Sequence, residues 1–216
     1  SSVNLKRQEG PHAHSIYPDP TGRLVVAADL GTDQVHVYKF DSAIGSLAPA
    51  DPPTVSVPAG AGPRHMAWHP EADRLYVLNE LASSVSVLDY HDGQFALTQT
   101  VSALPTEFEG TSYASEIQAH PSGKWLYTAN RGHNSIAQFA IDQTNGHLEF
   151  LETTRCGGEW PRNIGIDPTG SYLIVANQHS HNVVVLGIDP ATGSLRETTA
   201  DHPVPTPMCV RFLPAE

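Results

Sequence analysis

Four copies of one all-β unit are what this sequence predicts, and three observations predict it. The first is an apolar stretch that recurs and ends in Asp or Asn: Leu24–Asp29, Leu75–Asn79, Leu126–Asn130 and Leu173–Asn177. The second is its period, since Asp29, Asn79, Asn130 and Asn177 follow one another at 50, 51 and 47 residues. The third is a turn ahead of each stretch, as in Asp19-Pro-Thr-Gly22, His120-Pro-Ser-Gly123 and Asp167-Pro-Thr-Gly170. There Pro presets φ and Gly accepts a positive φ. Short strands repeating every 40–50 residues or so are the signature of β-propeller blades. The expected fold is therefore an all-β propeller portion of about four four-stranded blades.

Length and composition agree with a single domain over 1–216, because all-β folds of this size often form one unit. Charged residues are 16% and hydrophobic residues 39% of the chain, which suits a packed core rather than disorder. The formal net charge of −11 disfavours nucleic acid and anionic membranes as partners. No apolar run is long enough for a membrane-spanning helix, and residues 1–10 lack the apolar core of a signal peptide. Two cysteines without a CxxC pair, Cys156 and Cys209, read as buried free thiols rather than a disulfide framework. A cytoplasmic location is the default expectation.

The elements follow in order. Residues 1–10 are polar and read as a lead-in. Blade one, about 11–62, opens at Gly10-Pro-His-Ala-His-Ser-Ile-Tyr17, continues through Leu24–Ala28 and turns at Gly31-Thr-Asp33 into Gln34–Phe40, where Val35 and Val37 share a face. Blade two, about 63–113, repeats this as Pro63–Trp68, Leu75–Asn79, Ser83–Tyr90 and Phe95–Val101. Blade three, about 114–160, follows an insert-like loop at Leu104–Tyr113 and contains Ser115–Ala119, Trp125–Asn130 and Ser135–Ile141. Blade four, about 161–206, contains Pro161–Ile166, Tyr172–Asn177, Asn182–Ile188 and Leu195–Thr198. Residues 207–213 are expected to form a lone inner strand of a further blade. The aromatics Trp68, Tyr76, Trp125, Tyr127 and Tyr172 fall within strand patterns and read as core.

Repeat-equivalent positions of inner strands face a common axis, so polar residues there should converge although they are distant in sequence. These are His12 and His14, Arg64 and His65, Glu116, and Arg162 with Asn163. A second layer follows the strand-ending Asp/Asn: Glu80, Arg131 and Gln178. Each also has a bland reading. His14 can brace a blade contact, Arg64 and Arg162 can pair with carboxylates between blades, and Glu80 can be such a partner. The Asp/Asn series itself reads as architectural, capping the turns that follow. His12-Ala-His14 places two imidazoles on one strand face, but a third metal ligand is not evident, so no metal or other cofactor is expected. His179-Ser-His181 reads as a solvated turn. There is no Gly-rich phosphate loop, nucleophile elbow or HExxH helix, so covalent catalysis has no signal.

The ordered motifs Gly10-Pro-His-Ala-His-Ser15, Ala28–Asp33, Gly62-Pro-Arg-His-Met66, Leu78-Asn-Glu80, Ala129-Asn-Arg-Gly-His133 and Val175-Ala-Asn-Gln178 resemble the seven-bladed β-propeller lactonase family. That family includes the propeller-type 6-phosphogluconolactonases and is similar to the fungal carboxymuconate-lactonising cyclase. The likeness runs from Gly10 to Phe212 and covers about four blades. It implies a catalytic set of His, two Arg and Glu, which by motif and spacing fall on His14, Arg64, Arg131 and Glu80, with Arg162 the alternative second Arg. The other polar inner-strand positions, His12, His65, Glu116, Arg162 and Asn163, are expected from the repeat to bind substrate.

The function this implies is hydrolysis of a sugar-acid lactone, 6-phosphogluconolactone first, with Glu80 or His14 as acid–base and Arg as the anion grip. Two alternatives remain: a carboxymuconate-type cyclase, and a non-enzymatic scaffold or inactive fragment. The expected partner is a small anionic lactone or carboxylate. Open blade edges also invite self-association.

Overall fold

The computed structural model describes residues 2–71 and 73–213. Among them are sixteen strands, no helices, and four antiparallel four-stranded sheets. The architecture is that of an all-β propeller with four blades. The first blade comprises β1 (Ala13–Pro18), β2 (Leu24–Asp29), β3 (Gln34–Asp41) and β4 (Ser46–Ser56); the second comprises β5 (Pro63–Trp68), β6 (Arg74–Asn79), β7 (Ser84–His91) and β8 (Gln94–Ser102). The third comprises β9 (Tyr113–Ala119), β10 (Trp125–Arg131), β11 (Ser135–Ile141) and β12 (Leu148–Arg155); the fourth comprises β13 (Pro161–Ile166), β14 (Tyr172–Asn177), β15 (Asn182–Ile188) and β16 (Leu195–Pro203). Two compact units are formed, Ser1–Val101 with the first two blades and Ser102–Glu216 with the last two.

Each second strand is a near-continuous apolar run because both its faces are covered. In β10 every residue is buried. The first unit buries Val26, Val35, Val37, Leu75, Val77 and Leu88 together, and the second buries Tyr127, Ile136, Ile164, Leu173, Val175 and Leu186. At about 1.5–3 kcal/mol for each fully buried large aliphatic or aromatic side chain, these layers hold each pair of blades face to face. Trp125, Tyr76 and Tyr127 are core residues as expected, but Tyr172 is 49% exposed. It stands at the first position of β14, beside the turn, where the sheet faces water.

Every inner strand carries the same irregularity. Pairing runs Ala13↔Asp29 and then Ser15↔Ala28, so His14 is left out of register. The same step omits Arg64 in β5, Ser115 in β9 and Arg162 in β13. Such a β-bulge bends the strand and re-aims the extra side chain. Within each unit the inner strands lie side by side, β1 against β5 and β9 against β13. The Ser15 hydroxyl donates to the Arg64 carbonyl at 2.6 Å and the Ser115 hydroxyl to the Pro161 carbonyl at 2.5 Å.

The turn after each second strand has a non-glycine residue in the left-handed region: Asp33 (φ 57°), Ser83 (45°), Asn134 (56°) and His181 (57°). Asp33 is buried and accepts from the amides of Gly60 and Gly62, each at 2.7 Å. Asn134 Oδ1 accepts from the Trp160 amide at 2.9 Å. These side chains therefore pin the crossing from one blade to the next.

The strand-ending series divides by chemistry. Asp29 Oδ1 accepts from the amides of His12, Gly31 and Thr32, capping its turn as expected. The Asn residues donate instead, Asn130 to the Ala103 carbonyl at 2.7 Å and Asn177 to the Cys156 carbonyl at 3.0 Å. An amide NH2 can tie down a passing carbonyl, which a carboxylate cannot.

Three expectations are corrected here. Residues 207–213 form no strand, because no ladder partner stands beside them among the described residues; the Val210 amide bonds only to the Asn163 side chain, at 2.7 Å. Cys209, on that unpaired segment, is exposed, whereas Cys156 is buried. His179 and His181 are exposed but engaged: His179 stacks on Trp160, and His181 Nδ1 accepts from the Thr206 amide at 3.1 Å.

Candidate functional site

In the first unit the bulges of two adjacent inner strands bring His14 and Arg64 together. Arg64 Nη1 donates to His14 Nε2 and, at 3.2 Å, to Glu80 Oε2. Glu80 follows Asn79 at the end of β6, and its amide is fixed by the Gly62 carbonyl at 2.7 Å. The carboxylate is 4% exposed and is gripped on its other oxygen by Arg7 Nη2 at 2.6 Å. Glu80 thus sits between two guanidinium groups, an arrangement of charge-assisted hydrogen bonds. The His65 ring stands edge-on to His14, with centroids 5.2 Å apart.

The electrostatics of His14 follow from that geometry. Arginine can only donate, so Nε2 must accept and the ring proton lies on Nδ1. Protonating Nε2 would replace that acceptor by a charged N–H donor facing a cation. Loss of hydration around the ring, the Arg64 guanidinium and the neighbouring His65 hold its pKa down at about 4, against a weaker upward pull from Glu80. His14 is therefore a neutral imidazole at neutral pH.

Arg7 and its neighbour Gln8 carry no sequence signal, and the first ten residues read only as a polar lead-in. The structure shows a built segment. Asn4 Oδ1 caps the amides of Lys6 and Arg7 at 3.2 Å each, and the Asn4 carbonyl accepts from Gln8 N at 2.7 Å. Gln8 is fully buried and donates to the Leu30 carbonyl at 2.9 Å and to Asp33 Oδ1 at 2.8 Å. Where this strap crosses blade one, a Cβ at position 31 would run into the Gly10 carbonyl oxygen, so the site requires Gly31. A cavity of about 360 Å³ opens beside the strap, lined by Lys6, Arg7, Glu9, His12 and His14.

His12 faces this cavity but bonds Glu9 at 3.0 Å rather than joining His14 on one ligand. Among the described residues no group of three His, Cys, Asp or Glu is disposed to hold a metal. A larger cavity of about 810 Å³, lined by Arg23, Lys39, Trp68, His69 and Tyr90, lies at the opposite end of the same strands. It is separated from His14 by the length of a six-residue strand, roughly 20 Å.

In the second unit the remaining expected residues form their own arrangements. Arg131, 6% exposed, donates to the carbonyls of Tyr113 at 3.2 Å and Ala114 at 3.0 Å. Its guanidinium carbon lies 5.6 Å from the centre of the Trp160 ring, within cation–π range. Trp160 stacks on His179 at 4.8 Å and 12°, and its backbone is left-handed at φ 61°. Arg162 Nη1 lies 3.5 Å from Gln178 Oε1. Glu116 and Asn163, expected to face substrate, are 1% and 4% exposed and bond one another. Asn163 then receives the Val210 amide, so this pair ties inner strands and the 207–213 segment together.

The model of the family described as "Lactonase, 7-bladed beta-propeller" matches residues 1–212. The chain belongs to the seven-bladed β-propeller lactonase family. It is 39% identical over 210 residues to the 6-phosphogluconolactonase of Bacillus subtilis, covering 96% of this chain and 59% of that protein. Among solved structures it is similar to the periplasmic gluconolactonase of Pseudomonas aeruginosa, with a TM-score of 0.89, 33% identity, and coverage of 96% of this chain and 58% of the other. A protein from Lactobacillus plantarum also has a TM-score of 0.89, at 32% identity, 96% of this chain and 60% of the other. The chain therefore spans about three fifths of the length of these relatives.

Proposed function

We propose that the protein of which this chain carries the His14–Arg64–Glu80 cluster hydrolyses a six-carbon sugar-acid lactone, with 6-phosphogluconolactone as the leading substrate. The observation that carries this reading is Glu80, a carboxylate buried between two guanidinium groups and beside a neutral imidazole. The Bacillus and Pseudomonas relatives, named as lactonases for phosphogluconate and gluconate lactones, support the substrate class.

Opening a lactone needs a water stripped of a proton and a partner for the oxyanion that develops on the carbonyl. Water oxygen bonds to the carbonyl carbon as its proton passes to a base, and the ring C–O bond then breaks as that proton is handed to the leaving ring oxygen, giving a hydroxy acid. The single acceptor nitrogen of neutral His14 is engaged by Arg64. A carboxylate has four lone-pair directions, so Glu80 is the base and His14 holds the Arg64 fork in place. Arg64 supplies fixed positive charge against the oxyanion, already oriented before substrate arrives.

Glu80→Gln keeps the shape and, through its one carbonyl oxygen, a single guanidinium contact, but cannot take a proton. Its kcat for 6-phosphogluconolactone should fall by roughly 10²–10⁴-fold, with KM nearly unchanged, once spontaneous hydrolysis is subtracted. A folded Gln variant that keeps a third or more of the wild-type rate removes Glu80 from the role of base.

A further inference from the structure

The cluster contains two arginines on one carboxylate, and they differ in what they can offer to a ligand. The Arg64 side chain is 5% exposed and is spent on Glu80 and His14, whereas the Arg7 side chain is 42% exposed. We infer that Arg7, from the segment ahead of the first blade, is the specificity-determining residue that receives the anionic group of the lactone. This rests on the lactonase reading above and adds to it the residue that selects a phosphorylated over a neutral substrate.

Four observations converge on it. Arg7 opens on the cavity of about 360 Å³ that His14 also lines, a volume within the range of about 300–1,000 Å³ common to ligand clefts. The charged lining there is Lys6 and Arg7 against Glu9, a cationic excess in a chain of net charge −11. Glu9 is itself taken by His12 at 3.0 Å. The backbone around Arg7 is held before it by the Asn4 cap and after it by buried Gln8, so the guanidinium is preorganised rather than on a loose tail.

The chemistry suits the assignment. A guanidinium presents five N–H donors in a planar fork that matches phosphate and carboxylate. One nitrogen on Glu80 Oε1 at 2.6 Å places the fork beside the base. An anionic arm seated on Arg7 would then hold the ring carbonyl against Glu80 and Arg64. A neutral lactone lacks that anchor.

The test compares Arg7→Met and Arg7→Lys with wild type in the full-length protein, on 6-phosphogluconolactone and on unphosphorylated gluconolactone, with binding of 6-phosphogluconate measured by calorimetry. Arg7→Met should lose kcat/KM for the phosphorylated lactone at least about 30-fold more than for the neutral one, chiefly through KM, and Arg7→Lys should recover part of that gap. Affinity for 6-phosphogluconate should fall at least tenfold in Arg7→Met, with an unchanged melting temperature showing that the fold survives. Equal losses on both lactones would reduce Arg7 to a positioning residue for Glu80, and unchanged phosphogluconate affinity would overturn the anion site. If wild type hydrolyses neither lactone but binds phosphogluconate in an Arg7-dependent way, the lactonase reading fails while the anion site stands. If wild type does not bind phosphogluconate, the inference fails.

Discussion

His14 shows how one contact decides a residue's chemistry. An ordinary histidine is half charged near pH 6.5, but burial and a guanidinium aimed at Nε2 lower this one to about 4. The folded state therefore resists a proton that the unfolded chain accepts. The stability His14 contributes is complete above about pH 6.5 and is lost as the pH falls toward 4. In His14→Gln the side-chain oxygen can still accept from Arg64 but does not titrate. Denaturant midpoints followed from pH 7 to pH 4.5 should therefore fall more steeply in wild type than in the variant. Parallel slopes would mean that His14 titrates normally and that the Arg64 contact is weak. In the same range the imidazole C–H signals of His14 should stay at their neutral positions down to about pH 5.

Among the elements, the turns and bulges between strands position more than the strands do. Asp33 occupies a left-handed turn and gathers Gln8 Nε2 and the amides of Gly60 and Gly62, tying the strap, blade one and the entry to blade two at one carboxylate. Asp33→Ala strands three buried donors and places a Cβ-only residue at positive φ. A loss of about 2–4 kcal/mol is expected, from unpaired buried donors at 1–3 kcal/mol each with partial relaxation. Asp33→Asn, which tolerates the same φ, should lose less. Urea unfolding of both variants measures it, and equal losses would show that charge rather than geometry holds the turn.

The strands of blade cores were legible because burial on both faces makes β2, β6, β10 and β14 continuous apolar runs. Outer strands were legible only in part: Phe95–Val101 and Leu195–Thr198 mark β8 and the start of β16, but β12 alternates among polar residues such as Glu149 and Glu152, and half of its surface faces water, so the pattern fades. The bulges at His14, Arg64, Ser115 and Arg162 have no sequence mark, since a skipped register is set by how the strand bends, not by its composition. Repeat position alone brought His14, Arg64 and Glu80 to one place. It gave no warning of Arg7, because a cap and a buried Gln build that strap without periodicity. It also expects Glu116 and Asn163 to face substrate, and gave no sign that the two are buried and hydrogen-bonded to one another.

At the scale of the molecule, the difference between β1 and the other inner strands is the informative one. β5 lies behind blade one and β13 behind blade three, and both are largely buried. β1 repeats the same pattern, yet its residues are exposed or half-exposed, with Ile16 at 59%. Val3 at 67% and Leu5 at 83% lie in the strap ahead of it, and Met208 at 54% lies on the unpaired segment after β16. Apolar side chains in positions that neighbouring blades cover elsewhere are surfaces that seek a partner. The relatives that match this chain are longer than it is. We therefore expect the 216-residue chain, purified alone, to associate with itself, giving a light-scattering mass above its 23.3 kDa that rises with concentration. Replacing Ile16 and Leu5 by Lys should lower that mass while leaving the buried layers intact. A wild-type chain that stays at 23.3 kDa across the concentration range and unfolds in one sharp transition would show that two-blade units close their own surfaces. Blade-to-blade covering would then be dispensable for solubility, and the exposed face of β1 would be a feature the fold tolerates.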